Sequence, residues 1–121
     1  MGAPMPVLIV AKPGPLRDSL ATLLQSLPQV STVEQTHSAS AALRMVEAKP
    51  PRLVLVDSNL PGGEAWTVLK QLKTRRPAVR CVVLSETVQH CHQAEAAGAS
   101  RALLNGIPAP KLSVALEGLL A

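Results

Sequence analysis

One carboxylate in this chain stands where chemistry could be done. Asp57 closes the apolar run Leu53-Val54-Leu55-Val56 and is followed by the turn residues Asn59, Pro61 and Gly62. Such a run is too short for a helix buried all round. Bounded by turn signals, it reads as a strand covered on both faces, as in a parallel sheet. Asp57 then falls at the carboxyl end of a central strand, where open α/β sheets place their sites. A carboxylate there can ligate a hard cation, pair with a base or act as a nucleophile.

The other reactive groupings carry less. His90-Cys91-His92 offers three metal-ligating side chains, but adjacent helical residues do not share a face, and no fourth ligand lies at a useful spacing. That segment reads as an exposed polar helix. Lys12-Pro13-Gly14-Pro15 sits where a phosphate-binding loop would sit, yet its two prolines have no N–H to offer an anion. Lys70, Lys73, Arg75, Arg76 and Arg80 form a modest basic cluster. No aromatics interleave with it to stack bases, so it reads as a solvated helix end suited to the macrodipole.

The elements that position Asp57 come from 121 residues, enough for one domain, 1–121, with a single core. Apolar residues make up 47% of the chain, which lacks Phe and Tyr and has Trp66 as its one Trp. Val, Leu, Ile and Ala must therefore fill the core, with Trp66 packing at its edge. No apolar run approaches the ~20 residues of a membrane span, and no secretory leader is evident. Two cysteines make no disulfide framework, and Cys81 reads as a small core residue. A reduced, cytoplasmic setting is expected.

In chain order, residues 1–5 read as a loose lead. Residues 7–11 are a buried strand, and 15–26 a helix with Leu16, Leu20, Leu23, Leu24 and Leu27 at helical spacing, started by Pro15 and ended by Pro28. Residues 30–36 form a weaker strand. Ser38 or Ser40 caps a helix that Pro50-Pro51 stop. After the Asp57 strand, Ala65, Val68, Leu69 and Leu72 face inward from a helix ending near Pro77. A strand over 79–84 closes on Ser85. Residues 88–97 form a short polar helix, with Gly98 as its C-terminal cap. A strand over 101–104 and a final helix carrying Leu112, Ala115, Leu116, Leu119 and Leu120 complete the order. Strand-helix repeated five times predicts a doubly wound five-stranded parallel sheet with helices on both faces.

Several of these stretches together resemble the receiver domain of two-component response regulators, a CheY-like, flavodoxin-like fold. They are Val7-Leu8-Ile9-Val10 with Leu16-Arg17-Asp18-Ser19-Leu20, the segment from Leu53 to Gly63, Val82-Val83-Leu84-Ser85, and the segment from Ala97 to Gly106. The match is closest to receivers that precede a helix-turn-helix output domain. The resemblance implies an aspartate that takes a phosphoryl group from a histidine kinase while magnesium neutralises the crowded oxygens. By that resemblance Asp57 is the acceptor, Asn59 supplies a backbone carbonyl to the metal, and Ser85 is the hydroxyl that senses the phosphoryl group.

The sequence departs from the family's pattern in three places. Ala11 and Lys12 stand where an acidic pair is usual, Asn105 replaces a lysine, and Ala102 replaces an aromatic. The stretch between Ser85 and Gly98 is also shorter than usual. A cation bound through Asp57 and Asn59 would meet one side-chain carboxylate and one positive charge instead of about three carboxylates, so magnesium affinity should fall steeply. Lys12 either pairs with Asp57 or points to solvent. Glu64 and Glu86 flank the pocket by analogy, as substitute ligands or as ordinary solvated glutamates.

The reading is a signalling module that is not an enzyme, with weakened or absent phosphorylation, acting through protein–protein contacts. No cofactor is expected beyond weakly held magnesium. Expected partners are a histidine kinase or another signalling protein, and a second copy of the chain. DNA would be reached only through an output domain outside this chain. A working phosphoacceptor is the first alternative. A flavodoxin-like ligand or nucleic-acid binder is the second, disfavoured by the missing glycine-rich loop and aromatics.

Overall fold

The computed structural model describes residues 5–120. Of the expected lead, residues 1–4 lie outside the described residues, and Met5 already belongs to the first strand. Five strands, β1 (Met5–Val10), β2 (Val30–Thr36), β3 (Leu53–Asp57), β4 (Arg80–Ser85) and β5 (Arg101–Leu104), alternate with five helices, α1 (Pro15–Gln25), α2 (Ala39–Ala48), α3 (Glu64–Arg75), α4 (Val88–Ala96) and α5 (Ala109–Leu120). A single 3-10 turn, Pro61–Gly63, leads into α3. The strands pair in parallel, in the order β2-β1-β3-β4-β5. This is the doubly wound sheet expected from the sequence, with its order reversing between β1 and β3.

The period-two alternation of the strands divides the core between the two faces. Val7, Ile9, Leu53, Leu55, Val82, Leu84 and Leu103 pack with α1 and α5 residues such as Leu24 and Leu116. Leu8, Val10, Val54, Val56, Cys81 and Val83 pack with α2, α3 and α4 through Val46, Leu69 and Ala94. β3 is buried along its whole length, because it lies between β1 and β4 and is covered on both sides. Aliphatic side chains fill this core. Trp66 is half-buried at its edge, its ring meeting that of His90 edge-on at 6.5 Å between centroids.

Local signals set the helix boundaries. Pro15 starts α1, and Ser38 caps α2 by accepting from the Ala41 N–H at 3.0 Å. Ser40 instead pairs with the Ser38 hydroxyl at 3.2 Å. Gly98, just past α4, has φ +109°, which an L side chain rarely adopts. The exposed Lys70, Lys73 and Arg75 form a solvated helix end, while Arg76 binds Glu47 at 2.9 Å.

Two expectations need correction. Ala11 lies just beyond β1, although it is buried and hydrogen-bonds the Thr36 carbonyl through its N–H at 2.9 Å. Cys91 is not on an exposed face. It is 8% exposed, while its neighbours His90 and His92 are exposed, because Cys91 and Ala94, three residues apart, form the one narrow face of this polar helix that turns toward the sheet. Cys81 is more deeply buried, which pushes its thiol up to about 12. The free thiol therefore stays protonated and unreactive near neutrality.

Candidate functional site

The carboxyl ends of β1, β3, β4 and β5 gather the residues that the sequence singled out. In the β3–β4 register Asp57 lies opposite Leu84, one residue before Ser85. On the other side, Val56 lies opposite Val10, so Ala11 is the next residue beside Asp57. The loops are fixed by main-chain bonds: Ser58 N–H to Leu84 O at 2.9 Å and Asn105 N–H to Ser85 O at 2.8 Å. Asp57, Ser85, Ala11 and Asn105 are thus brought to one edge of the sheet.

Asp57 is 8% exposed. Its Oδ1 accepts the Asn59 N–H at 3.0 Å, an Asx turn that orients the carboxylate and follows from Asn59 lying two residues on. Its other oxygen has no hydrogen-bond partner among the described residues. Ser85 is fully buried, and its hydroxyl is unpartnered, as are the buried Ser58 hydroxyl and Asn105 Oδ1. Buried polar atoms are nearly always satisfied; further unpartnered ones, Gln29 Oε1 and Arg76 Nε, lie away from these strand ends.

No ion pair joins Lys12 to Asp57. Lys12 is exposed, and Arg76–Glu47 is the one salt bridge among the described residues. Sequence reasoning did not single out Arg17 for the site. Its Nη1 donates to the Ala11 carbonyl at 3.3 Å, and its Nε is buried without a partner. The arginine was visible in the sequence, but nothing local showed that the first turn of α1 aims it at the end of β1.

The two flanking glutamates are engaged elsewhere. Glu64 Oε1 accepts the Ala39 N–H at 3.0 Å, so a residue of α3 caps the start of α2. Glu86 Oε1 accepts the Asn59 side-chain amide at 2.6 Å and ties the loop after β3 to the loop after β4. Glu86 is exposed, while Glu64 is partly buried. No group of three or more His, Cys, Asp or Glu among the described residues is placed to hold a metal ion. Hard divalent cations need several oxygen ligands. Asp57 is the acid at this strand end, and Ala11 beside it in the register presents only a methyl group.

The sequence profile of the response regulator receiver domain matches residues 7–117. The chain belongs to that family. Among its relatives, the DNA-binding transcriptional activator DevR/DosR of Mycobacterium tuberculosis is 28% identical over 104 residues, covering 84% of this chain and 48% of that protein. The nitrate/nitrite response regulator NarL of Escherichia coli is 26% identical over 82 residues, covering 68% of this chain and 38% of that protein. This receiver spans about half, or less, of the length of the curated relatives it matches. Its fold superposes on a CheY-like receiver from Methanospirillum hungatei with TM-score 0.84 and 21% identity, over 98% of this chain and 94% of that one. A LuxR-family two-component response regulator from Aurantimonas gives TM-score 0.87 and 21% identity, over 98% and 86%.

Two changes around this receiver's pocket probe separate contacts. Glu64→Ala removes the acceptor that caps α2 and the acidic residue in the first turn of α3. The expected loss is about 1 kcal/mol, read as a lower urea midpoint with unchanged slope. Ser85→Ala removes a buried hydroxyl that bonds nothing. Its urea midpoint should hold or rise, by up to about 1 kcal/mol of stability; a clear fall would mean the hydroxyl has a hidden partner.

Proposed function

We propose that this receiver is a signalling module that works through protein–protein contacts, with magnesium-dependent phosphorylation of Asp57 weakened or absent. The observation that carries this is the donor set. Asp57 is the one carboxylate turned to the strand edge, because Glu64 and Glu86 are committed to Ala39 and Asn59. A divalent ion would meet a single anion where the family's pattern supplies about three, a balance that disfavours it electrostatically.

The module passes its state to a histidine kinase or another signalling protein, not to a substrate of its own. It lies within one domain, and among the described residues no helix is long and apolar enough to cross a membrane. One relative, DevR/DosR, is named as a DNA-binding transcriptional activator. By analogy, any contact with DNA belongs to an output domain outside this receiver.

A second reading is favoured by the orphan hydroxyl of Ser85. A group fully buried and unpartnered beside Asp57 is what a phosphoryl-sensing residue would look like at rest. In that reading Asp57 accepts phosphate and Ser85 follows it.

Trp66 fluorescence separates the two. Its ring lies on α3, nine residues past Asp57, against His90 of α4. With a small phosphodonor, millimolar magnesium should produce no saturable change beyond that seen in chelator. A saturable shift that requires magnesium and vanishes in Asp57→Asn would overturn the first reading and establish the second.

A further inference from the structure

We propose that the end of the sheet opposite Asp57 docks an acidic segment of a partner protein, anchored by one apolar side chain in a pocket beside Lys73. This rests on reading the module as one that works through protein–protein contacts, and it names the chemistry of one such partner.

The topology gathers the cations. Asp57 lies at the carboxyl end of a parallel sheet, so the amino ends of the strands meet at the other end, where the helices return. Arg80 begins β4 opposite Leu53, and its N–H bonds the Arg52 carbonyl at 3.2 Å, which sets Arg52 and Arg80 side by side. Arg101 begins β5, the next strand over. Lys49 follows α2, and Arg75 and Arg76 end α3. Two side chains bridge these pieces. Arg76 reaches Glu47 of α2 at 2.9 Å. Lys73 lies against Gly98, where an added Cβ would come within 3.0 Å of its Nζ, so the ammonium sits by the turn that leads into β5.

The charge is concentrated there. The last helix turns, the links after them and the first strand residues hold seven of the chain's twelve Lys and Arg residues, against three acids, Glu47, Glu95 and Glu117. The remaining five bases and five acids balance, so this end accounts for the whole net charge of +4. About half a negative charge from each of five helix carboxyl ends does not cancel that excess. Arg76–Glu47 is the one salt bridge among the described residues, so the other cations here have no acidic partner among them.

The pocket decides the class of partner. It measures about 260 Å3, and its walls include Leu69, Leu72, Pro77 and Val79 with Lys73 and Ser100. That is smaller than the roughly 300–1,000 Å3 of a drug-sized site and suits one aliphatic side chain. A nucleic-acid backbone has no apolar group to place in it, and no aromatic stands here to stack a base. A lipid surface calls for large exposed apolar side chains. Those among the described residues are Leu16, Val88, Leu104 and Val114, none of them at this end. A protein segment supplies both parts: carboxylates for the arginine forks and an anchor for the pocket.

The probe is a fluorescein-labelled peptide of glutamates around a single leucine, read by fluorescence anisotropy at about 0.1 M salt. Binding should be saturable. An all-glutamate peptide of the same length should bind at least about tenfold more weakly, because it leaves the pocket empty. Arg80→Glu and Arg101→Glu should each weaken binding at least about tenfold. Lys111→Glu makes the same charge change in the first turn of α5, at the Asp57 end, and should cost less than about twofold. Far-UV circular dichroism checks that each variant is folded. Equal losses in Arg80→Glu and Lys111→Glu would mean that only net charge is read, and overturn the proposal. So would an all-glutamate peptide that binds as tightly, or tighter binding to duplex DNA of matched charge or to phosphatidylserine vesicles. If the wild type binds neither peptide, this surface is removed, while the reading of the module as a protein-contact device is decided separately by the Trp66 titration.

Discussion

Replacing Ala11 and Lys12 together by Asp should turn this pocket into one that binds magnesium. The change adds two carboxylates and deletes a positive charge next to Asp57, whose neighbour across the β1–β3 register is Ala11. Each unit charge about 5 Å away, at the effective dielectric of a protein surface, is worth about 3 kcal/mol to a monovalent ion and more to a divalent one. Repulsion among the three acids and dehydration of the ion consume part of that. A net gain on the order of a hundredfold in magnesium affinity is the expected remainder. Isothermal calorimetry measures it, and thermal unfolding gives an independent reading. Without metal the crowded acids should lower the melting temperature, and millimolar magnesium should restore it by mass action. An unchanged affinity would mean that the loop after β1 does not direct these positions at Asp57.

The largest stability effect is expected at Leu55. It is 1% exposed, lies in the middle of the central strand and packs in the same cluster as Ile9, Leu24, Leu84 and Leu116. Leu55→Ala removes three carbons and leaves a cavity between strands whose hydrogen-bonded spacing prevents collapse. The expected cost is about 3 kcal/mol. For a chain of this length that lowers the melting temperature by about 10 °C. A core without Phe or Tyr has no large flexible ring to swing into the gap, which argues against a smaller loss. Calorimetry or circular dichroism melting checks it; a drop below about 4 °C would show that α1 or α5 repacks over the hole.

Much of the architecture was legible from short-range pattern. The runs over 7–10, 53–56 and 81–84 are continuous and apolar because their strands are covered on both faces, and such runs announce themselves in any window. Pro15 and Gly98 act on neighbours within four residues, so their roles as helix starter and terminator could be read directly, whereas the sequence offered Ser38 or Ser40 as the cap and the structure uses Ser38. The lone acid at the end of the middle strand was visible for the same reason.

The sequence by itself therefore determined the order of elements, the aliphatic core and the isolation of Asp57 from a second acid on its own loop. Only the tertiary structure decided which charges surround it. Glu64 caps a helix that starts twenty-five residues earlier, Glu86 holds Asn59 across twenty-seven, and Cys91 turns inward from a polar helix. Lys12 is in solvent, while Arg17 bends back to Ala11. Backbone propensities act over a turn or two of chain. The direction of a long charged side chain is instead set by whichever strand end or helix end the packed sheet places within its reach.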